Sequence, residues 1–261
     1  MLCCSSAMRP FPASILAVLF MVGSSFAQVR VVNFGGGSSS FDGWTSLNSA
    51  TFSGYGGFPG SSAWPAPIGS NVGGSADAEL SRVAGSPTGG GPFLSSSSIY
   101  FGNFAQVPNA LGGTLRVADS TPLAGLQTLI FQIQIGEVLG YDFYQPTGGP
   151  SLKVNGAASA VSPLFAGVLD RYQSGVFTSP ATGLDEPVYV NTWGYQWDVS
   201  TFGPISSLTI DFSGVTHAQI YELQLDQSSQ LFATALIPEP SAGPLILMAA
   251  LGALACRRTR R

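Results

Sequence analysis

Charged side chains are scarce in this chain of 261 residues, of which Asp, Glu, Lys and Arg make up only 9%. Soluble domains usually carry about 25%, so uncharged polar residues must provide most of the surface. Half of the ten basic residues lie in the terminal segments, and residues 28–239 hold five basic against fourteen acidic residues, a net charge of about −9. Nucleic-acid binding needs Lys and Arg to neutralise phosphates. The net negative charge argues against nucleic-acid binding and is compatible with the binding of neutral glycans or divalent cations.

Cysteine is missing from the whole central part of the chain. Cys3 and Cys4 lie near the start, and Cys256 lies in the C-terminal segment. Residues 28–237 therefore offer no disulfide and no Cys-ligated zinc site, which excludes a small disulfide-stapled scaffold. These about 210 residues are enough for one all-β domain held together by a hydrophobic core.

Histidine is nearly absent, because His217 is the sole one in the chain. A Ser-His-Asp triad would need it as the base, yet no G-x-S-x-G nucleophile motif accompanies it. Its place before a predicted strand is typical of a turn or strand-edge residue, and a serine hydrolase is not expected.

Carboxylate pairs can hydrolyse glycosides without histidine. Glu222 and Asp226, four residues apart on one strand face, are about 13 Å apart at strand rise, too far for either hydrolytic geometry. The other pairs are equally typical of solvated surface residues, so we expect no enzymatic activity. The pairs considered are Asp77 with Glu79, Asp185 with Glu186, and Glu222 with Asp226.

What the sequence does contain is a repeated alternation of apolar and polar residues. Residues 208–213 alternate strictly, which predicts a strand with one buried face. No central segment sustains a 3.6-residue apolar period, and Gly and Pro clusters separate the alternating runs. The same alternation recurs, broken only at Ile130, in 115–117, 129–135, 152–154, 188–190 and 221–226.

These patterns predict an all-β fold, a single antiparallel β-sandwich of jelly-roll type, with a closed barrel as the alternative. We place the sandwich core at 99–230. The Gly/Ser-rich part 28–98 is expected to form long loops and a few short strands covering the sandwich, or a partly mobile N-terminal segment. Residues 231–236 are expected to form a linker.

The N-terminus has the three parts of a secretory signal peptide. Arg9 supplies positive charge, residues 11–23 are apolar, and Ser25-Phe26-Ala27 is a small-x-small site. This order predicts a signal peptide over 1–27 and cleavage by signal peptidase between Ala27 and Gln28. No lipobox cysteine follows the apolar run, so lipoprotein processing is not indicated.

The C-terminus consists of three blocks in a fixed order. Pro238-Glu239-Pro240 disfavours helix and keeps the backbone extended. The apolar run 241–256 predicts a transmembrane helix. The arginines that follow oppose complete crossing, because guanidinium groups are costly in hydrocarbon and positive charge is retained on the cytoplasmic side; they are Arg257, Arg258, Arg260 and Arg261.

In these blocks the C-terminal tenth of the chain, 237–261, resembles the PEP-CTERM sorting signal of Gram-negative bacteria that make exopolysaccharide. The resemblance implies that a membrane-embedded cysteine transpeptidase, the exosortase, cuts at or near the motif and removes the tail. The protein would be anchored transiently in the inner membrane and then pass to the cell surface or the extracellular matrix. An ordinary single-pass anchor that is never cut is the alternative.

Three aromatic residues, Trp193, Tyr195 and Trp197, recur at a period of two and share one face of a predicted strand. Flat rings can stack on sugars, which makes this face a candidate site for exopolysaccharide or other glycans. The same pattern is equally typical of a core face. The sequence leaves both interpretations open.

Calcium takes six to eight oxygen ligands, and Asp42, Asp119 and Asp226 are the candidates for a structural Ca²⁺; no other cofactor is expected. Their spacing forms no recognisable loop, and Asp42 and Asp119 are also typical of turn residues. Taken together, the sequence predicts an exported, non-catalytic protein of the cell surface or extracellular matrix. A secreted carbohydrate-binding module is the alternative, and a glycoside hydrolase is the third possibility.

Overall fold

The computed structural model describes residues 29–55, 63–72, 77–87, 89–102, 107–179 and 182–236. The predicted signal-peptide cleavage at Ala27 and Gln28 lies outside the described residues. The Pro238-Glu239-Pro240 motif, the apolar run 241–256 and the terminal arginines lie outside them as well. Within the described ranges, no helix is long and apolar enough to cross a membrane.

The described residues form an all-β structure, as predicted, with antiparallel pairing throughout. Besides strands and loops, the described residues include a short 3-10 turn, Ser200–Phe202. The strands are β1 (Ser39–Trp44), β2 (Ile68–Gly69), β3 (Glu79–Ala84), β4 (Phe93–Leu94), β5 (Ile99–Tyr100), β6 (Leu111–Asp119), β7 (Thr128–Gly136), β8 (Ser151–Val154), β9 (Phe165–Thr178), β10 (Asp185–Asp198), β11 (Leu208–Val215) and β12 (Gln219–Ser228).

The strands form two sheets. The larger has the order β4-β5-β12-β7-β10-β9, with β1 also paired to β12, and the smaller has the order β2-β3-β6-β11-β8. Consecutive strands β6 and β7 belong to different sheets, as do β11 and β12. The chain passes from the smaller sheet to the larger one four times, at β3 to β4, β6 to β7, β8 to β9 and β11 to β12.

The core-facing sides of the two sheets share one hydrophobic core. Phe131 of the larger sheet and Phe212 of the smaller one contact each other with ring centroids 5.8 Å apart. Leu208, Ile210 and Phe212 are buried while Thr209 and Asp211 between them are half-buried, so the predicted alternation is confirmed. Full burial of one such apolar side chain contributes about 1.5–3 kcal/mol.

The Gly/Ser-rich part 28–98 contributes strands to both sheets. β1 pairs with β12, and β3 pairs with β6. Trp44 of β1 is completely buried and donates its indole N–H to the carbonyl of Ile68 at 2.9 Å. This part of the chain therefore supplies core residues as well as the long loops and short strands expected for it, so the core is not confined to 99–230.

The outer face of the larger sheet is covered by the two ends of the described chain. Gln132 accepts a hydrogen bond from the Arg30 N–H at 3.3 Å and donates to the Arg30 carbonyl. Val32 N–H donates to Asp226 at 3.1 Å, and Val32 packs on Ile130. The N-terminal segment 29–34 is thereby bound to the sheet through side chains rather than through strand pairing.

The C-terminal segment 231–236 lies on the same face. Gln196 donates to the carbonyls of Phe232 and Thr234 at 3.1 and 3.0 Å and accepts from the Leu236 N–H at 2.8 Å. The rings of Phe34 and Phe232 are 5.6 Å apart, which joins the two segments. The predicted linker has no regular structure, yet one buried glutamine fixes its backbone at three points.

Candidate functional site

Trp193, Tyr195 and Trp197 form a stacked row on the core-facing side of β10. Ring centroids are 6.2 Å apart for the first pair and 5.8 Å apart for the second, with interplanar angles of 21° and 17°. Trp197 is 0% exposed and Tyr195 5% exposed, and the Trp197 indole donates to the Val161 carbonyl at 3.1 Å.

This burial contradicts the glycan-binding interpretation of the row. Tyr195 and Trp197 face the smaller sheet, so a polymer outside the protein cannot reach their ring faces. Trp193 is half-buried and packs against the same core. Of the two interpretations left open by the sequence, the core face is the one found, because Tyr195 and Trp197 belong to the hydrophobic core shared by the two sheets.

A buried polar network extends this row and was missed by sequence reasoning. Trp193 donates its indole N–H to Asp142 at 2.9 Å, and Asn191 donates to both Asp142 and Glu137 at 2.9 Å each. Arg171 pairs with Glu137 at 2.8 Å. Asn191, two residues before Trp193 on the same strand face, was the available signal; its carboxylate partners come from other parts of the fold.

The two carboxylates of this network have different environments. Burial and, to a smaller extent, the charge of Glu137 raise the pKa of Asp142 to about 6, although hydrogen bonds from Asn191 and Trp193 oppose the shift. Glu137 is ion-paired with Arg171, whereas Asp142 can hold a proton. Two carboxyl groups with such different environments are typical of acid/base catalysis. Here both are nearly enclosed, with exposures of 5% and 9%, and a substrate has little access. The network acts as internal support for β10.

The Asp142 network predicts a pH-dependent stability. An acid with a raised folded-state pKa contributes stability that is complete below its ordinary pKa and is lost as the pH rises through its folded value. For Asp142 the window runs from 3.8 to about 6, with a total effect of about 2–3 kcal/mol. Asp142→Asn should make the fall in stability between pH 4 and 7 smaller by about 2–3 kcal/mol in urea unfolding, while the part due to other buried acids such as Asp42 and Asp226 remains.

The exposed Asp185, which accepts a hydrogen bond from the Thr178 hydroxyl at 2.6 Å, provides a matched control. Asp185→Asn should keep the wild-type decline with pH. An unchanged slope in Asp142→Asn would show that this carboxyl group is not the one that titrates.

A cleft of about 260 Å³ opens beside His217. His217 lies in the turn between β11 and β12 with φ of 73° and hydrogen-bonds through Nδ1 to the Tyr100 hydroxyl, which confirms a turn histidine. Ser174, the serine in the cleft lining, donates its hydroxyl to the Val188 carbonyl at 3.2 Å. The lining includes no carboxylate, so the described residues of the cleft do not assemble a hydrolytic triad.

The three calcium candidates are split between the two faces of the larger sheet. Asp42 pairs with the core residue Leu225 and therefore faces the core. Asp119 also faces the interior, whereas Asp226 lies on the outer face, where it binds the Val32 N–H. The set of three is therefore wrong as a single site. In the described part of the chain, no group of three or more His, Cys, Asp or Glu side chains is arranged, as the side chains stand, to hold a metal ion.

Comparison with known proteins adds no relative: no family model, curated protein or solved structure matches the chain.

Proposed function

We propose that this protein is an exported, non-catalytic component of the cell surface or extracellular matrix. Signal peptidase removes residues 1–27, and an exosortase-type transpeptidase cuts at or near Pro238-Glu239-Pro240. The observation that carries the proposal is the order of the three C-terminal blocks: a helix-disfavouring motif, an apolar run and an arginine cluster.

Each block has a separate physical role in this proposal. The apolar run 241–256 partitions into the bilayer, and the four arginines hold its end on the cytoplasmic side because their charge resists transfer. The two prolines keep the motif extended outside the membrane, as a peptidase substrate must be. Contact with the membrane is then limited to the tail and ends with cleavage.

The ordered end of the body supports processing close to its surface. Gln196 binds the Leu236 N–H at 2.8 Å, and the motif begins two residues later. Two residues span at most about 7 Å. The enzyme must therefore act almost against the outer face of the larger sheet, and we propose that the folded body approaches the enzyme with this face.

Within the all-β class we assign the body to a jelly-roll-like sandwich. β6 pairs with β11 in the smaller sheet, and the next strands, β7 and β12, pair in the larger one. Such wrapped pairs of antiparallel strands are the feature that jelly rolls share. A fold of this kind gives an exported, cysteine-free body its stability from core packing alone.

A non-catalytic role is supported by the position of the reactive groups. The carboxylates Glu137 and Asp142 are nearly enclosed, and His217 hydrogen-bonds to Tyr100 in a turn. We propose that the body acts through its surface. The aromatic row of β10 is not part of this surface, since Tyr195 and Trp197 are buried.

The test is the mature protein's two ends, determined by intact-mass and terminal-peptide mass spectrometry of surface material from the native host. We expect a start at Gln28 and an end at the Pro238-Glu239-Pro240 segment. Replacing Arg257, Arg258, Arg260 and Arg261 by serine should reduce maturation at least tenfold, whereas replacement by lysine, which keeps the charge, should leave it near the wild-type level.

Two outcomes would contradict the proposal. Surface protein that still carries Arg261 would indicate a permanent anchor. Equal maturation of the serine and lysine variants would show that positive charge does not hold the tail.

A further inference from the structure

An acidic cluster lies between the two sheets, beside the place where β1 joins β12. Asp42 of β1 is 0% exposed and accepts a hydrogen bond from the Ala78 N–H at 3.2 Å, just before β3. Asp119, at the end of β6, is 2% exposed. Two buried acids from opposite sheets thus meet at one edge of the core.

A third carboxylate, Asp77, completes the cluster on the solvent side. Asp77 lies close enough to Asp119 to raise the pKa of that carboxyl group, and its two carboxylate oxygens accept from the Thr121 hydroxyl at 2.6 and 2.7 Å. Asp119 accepts from the Thr121 N–H at 2.8 Å and from the Gln227 side chain at 2.7 Å. Asp77 is exposed. The cluster that includes the two interior acids can therefore be reached from solvent on this side.

No cation balances these charges among the described residues. Neither of the ion pairs found there, Arg116 with Asp211 and Arg171 with Glu137, involves the cluster. Burial raises the pKa of Asp42 to about 7, and the charges of Asp119 and Asp77 add to the shift. Buried charges are normally paired or bound to metal, and this cluster has neither a basic residue nor a full set of donors.

The decisive observation is two buried oxygen atoms that lack a partner. Asp42 Oδ2 and Ser40 Oγ are inaccessible to solvent and have no hydrogen-bond partner in the described structure; Asp226 Oδ2 shares this feature, but Asp226 points to the opposite face of the larger sheet. Ser40 and Asp42 are two residues apart in β1, so their side chains point to the same face. Ser40 pairs with Gln227, which itself binds Asp119. Both unsatisfied oxygens therefore border the acidic cluster.

We propose that Asp42, Asp119, Asp77 and Ser40 bind a calcium ion that ties the two sheets together. This site is independent of the sorting proposal. It retains two of the residues that the sequence suggested, adds Asp77 and Ser40, and leaves out Asp226.

Calcium fits this donor set better than other common metals. The donors are all oxygens, which excludes a preference for zinc or copper, and calcium tolerates irregular geometry and bidentate carboxylates, whereas magnesium demands near-ideal octahedra. As the side chains stand, they do not converge on one point. Binding requires Asp77 to leave the Thr121 hydroxyl and turn toward Asp119, a rotation open to an exposed side chain, and water or backbone carbonyls to complete the shell.

The experiment uses the full chain in mild detergent, freed of metal with EDTA and titrated with CaCl₂. We expect binding by calorimetry with a Kd of about 10⁻⁴–10⁻³ M, the range of extracellular sites. At free calcium about 100 times Kd, Tm should rise by about 5–10 °C. Terbium should also show sensitised luminescence, because Trp44 is about 7 Å along β1 from Asp42.

Asp42→Asn and Asp119→Asn should each reduce calcium affinity at least tenfold. Asp77→Asn changes an exposed residue, so it keeps the test valid if an interior variant fails to fold, and it should also weaken binding. Asp226→Asn is the matched control: it removes an equally buried acid from the opposite face of the larger sheet and should keep the wild-type affinity.

Three results would overturn the proposal. The first is the absence of a thermal shift or of binding heat at 10 mM CaCl₂, which is about ten times the upper limit expected for Kd. The second is an equal calcium response in Asp77→Asn and wild type. The third is a response to MgCl₂ equal to the response to CaCl₂.

Discussion

Replacing Trp197 with alanine is expected to lower the free energy of unfolding by about 3–5 kcal/mol, the range for a large aromatic residue lost from a core. The indole is 0% exposed and stacks on Tyr195 with ring centroids 5.8 Å apart. Its removal also leaves the Val161 carbonyl without the hydrogen bond it accepts at 3.1 Å. Both the cavity and the unpaired carbonyl destabilise the native state.

Urea unfolding followed by circular dichroism measures this effect. Phe202→Ala is the control, since Phe202 follows β10 closely but is 42% exposed, and its loss should change stability by less than about 0.5 kcal/mol. Retained stability in Trp197→Ala together with lost polysaccharide binding would contradict the buried position and restore the glycan-binding interpretation.

Gly113→Ala is expected to destabilise the protein by about 3 kcal/mol or more, from backbone strain and overpacking together. Gly113 has φ of +124°, and an added Cβ would lie 2.4 Å from Pro92 Cδ and 2.9 Å from the Ala84 carbonyl oxygen. The residue lies where the pairing register between β6 and β11 shifts. A side chain there meets both an unfavourable backbone conformation and fixed neighbours.

Gly175→Ala provides the comparison, because Gly175 is in β9 and an added Cβ would meet nothing within 4 Å. Its unfolding free energy should stay within about 0.5 kcal/mol of wild type. Thermal unfolding of both variants decides the matter: similar Tm values would mean that the irregularity in β6 does not require glycine.

The alternating runs predicted the strands well because their periodicity is local. β11 and β7 lie where residues 208–213 and 129–135 alternate. Ile130 broke the second pattern for a non-local reason: its side chain lies on the outer face of the larger sheet and is buried there by Val32 and Phe34. A segment one hundred residues away covers that face, and no short-range pattern contains this information.

The buried sites depended even more on partners distant in sequence. Asp42 and Asp119 were picked from the sequence, but their common position arises from pairing between β1 and β12 and packing against β6. Asp226 is paired with the neighbouring Phe41 yet points the other way, because alternate residues of a strand face opposite sides. The role of the β10 aromatics was undecided for the same reason, since a strand alone does not specify which face another sheet will cover.

The two ends of the described chain, 29–34 and 231–236, lie on one face of the larger sheet, and this affects which surface the proposed protein would display. A body joined to the envelope or to matrix through residues after Leu236 would present its smaller sheet to the medium. The outer face of the smaller sheet carries Lys153 and the Arg116–Asp211 ion pair and is therefore polar. If the body is exported and attached as proposed, an external partner would meet this face of the smaller sheet first, and the face bound by Gln196 would lie toward the point of attachment.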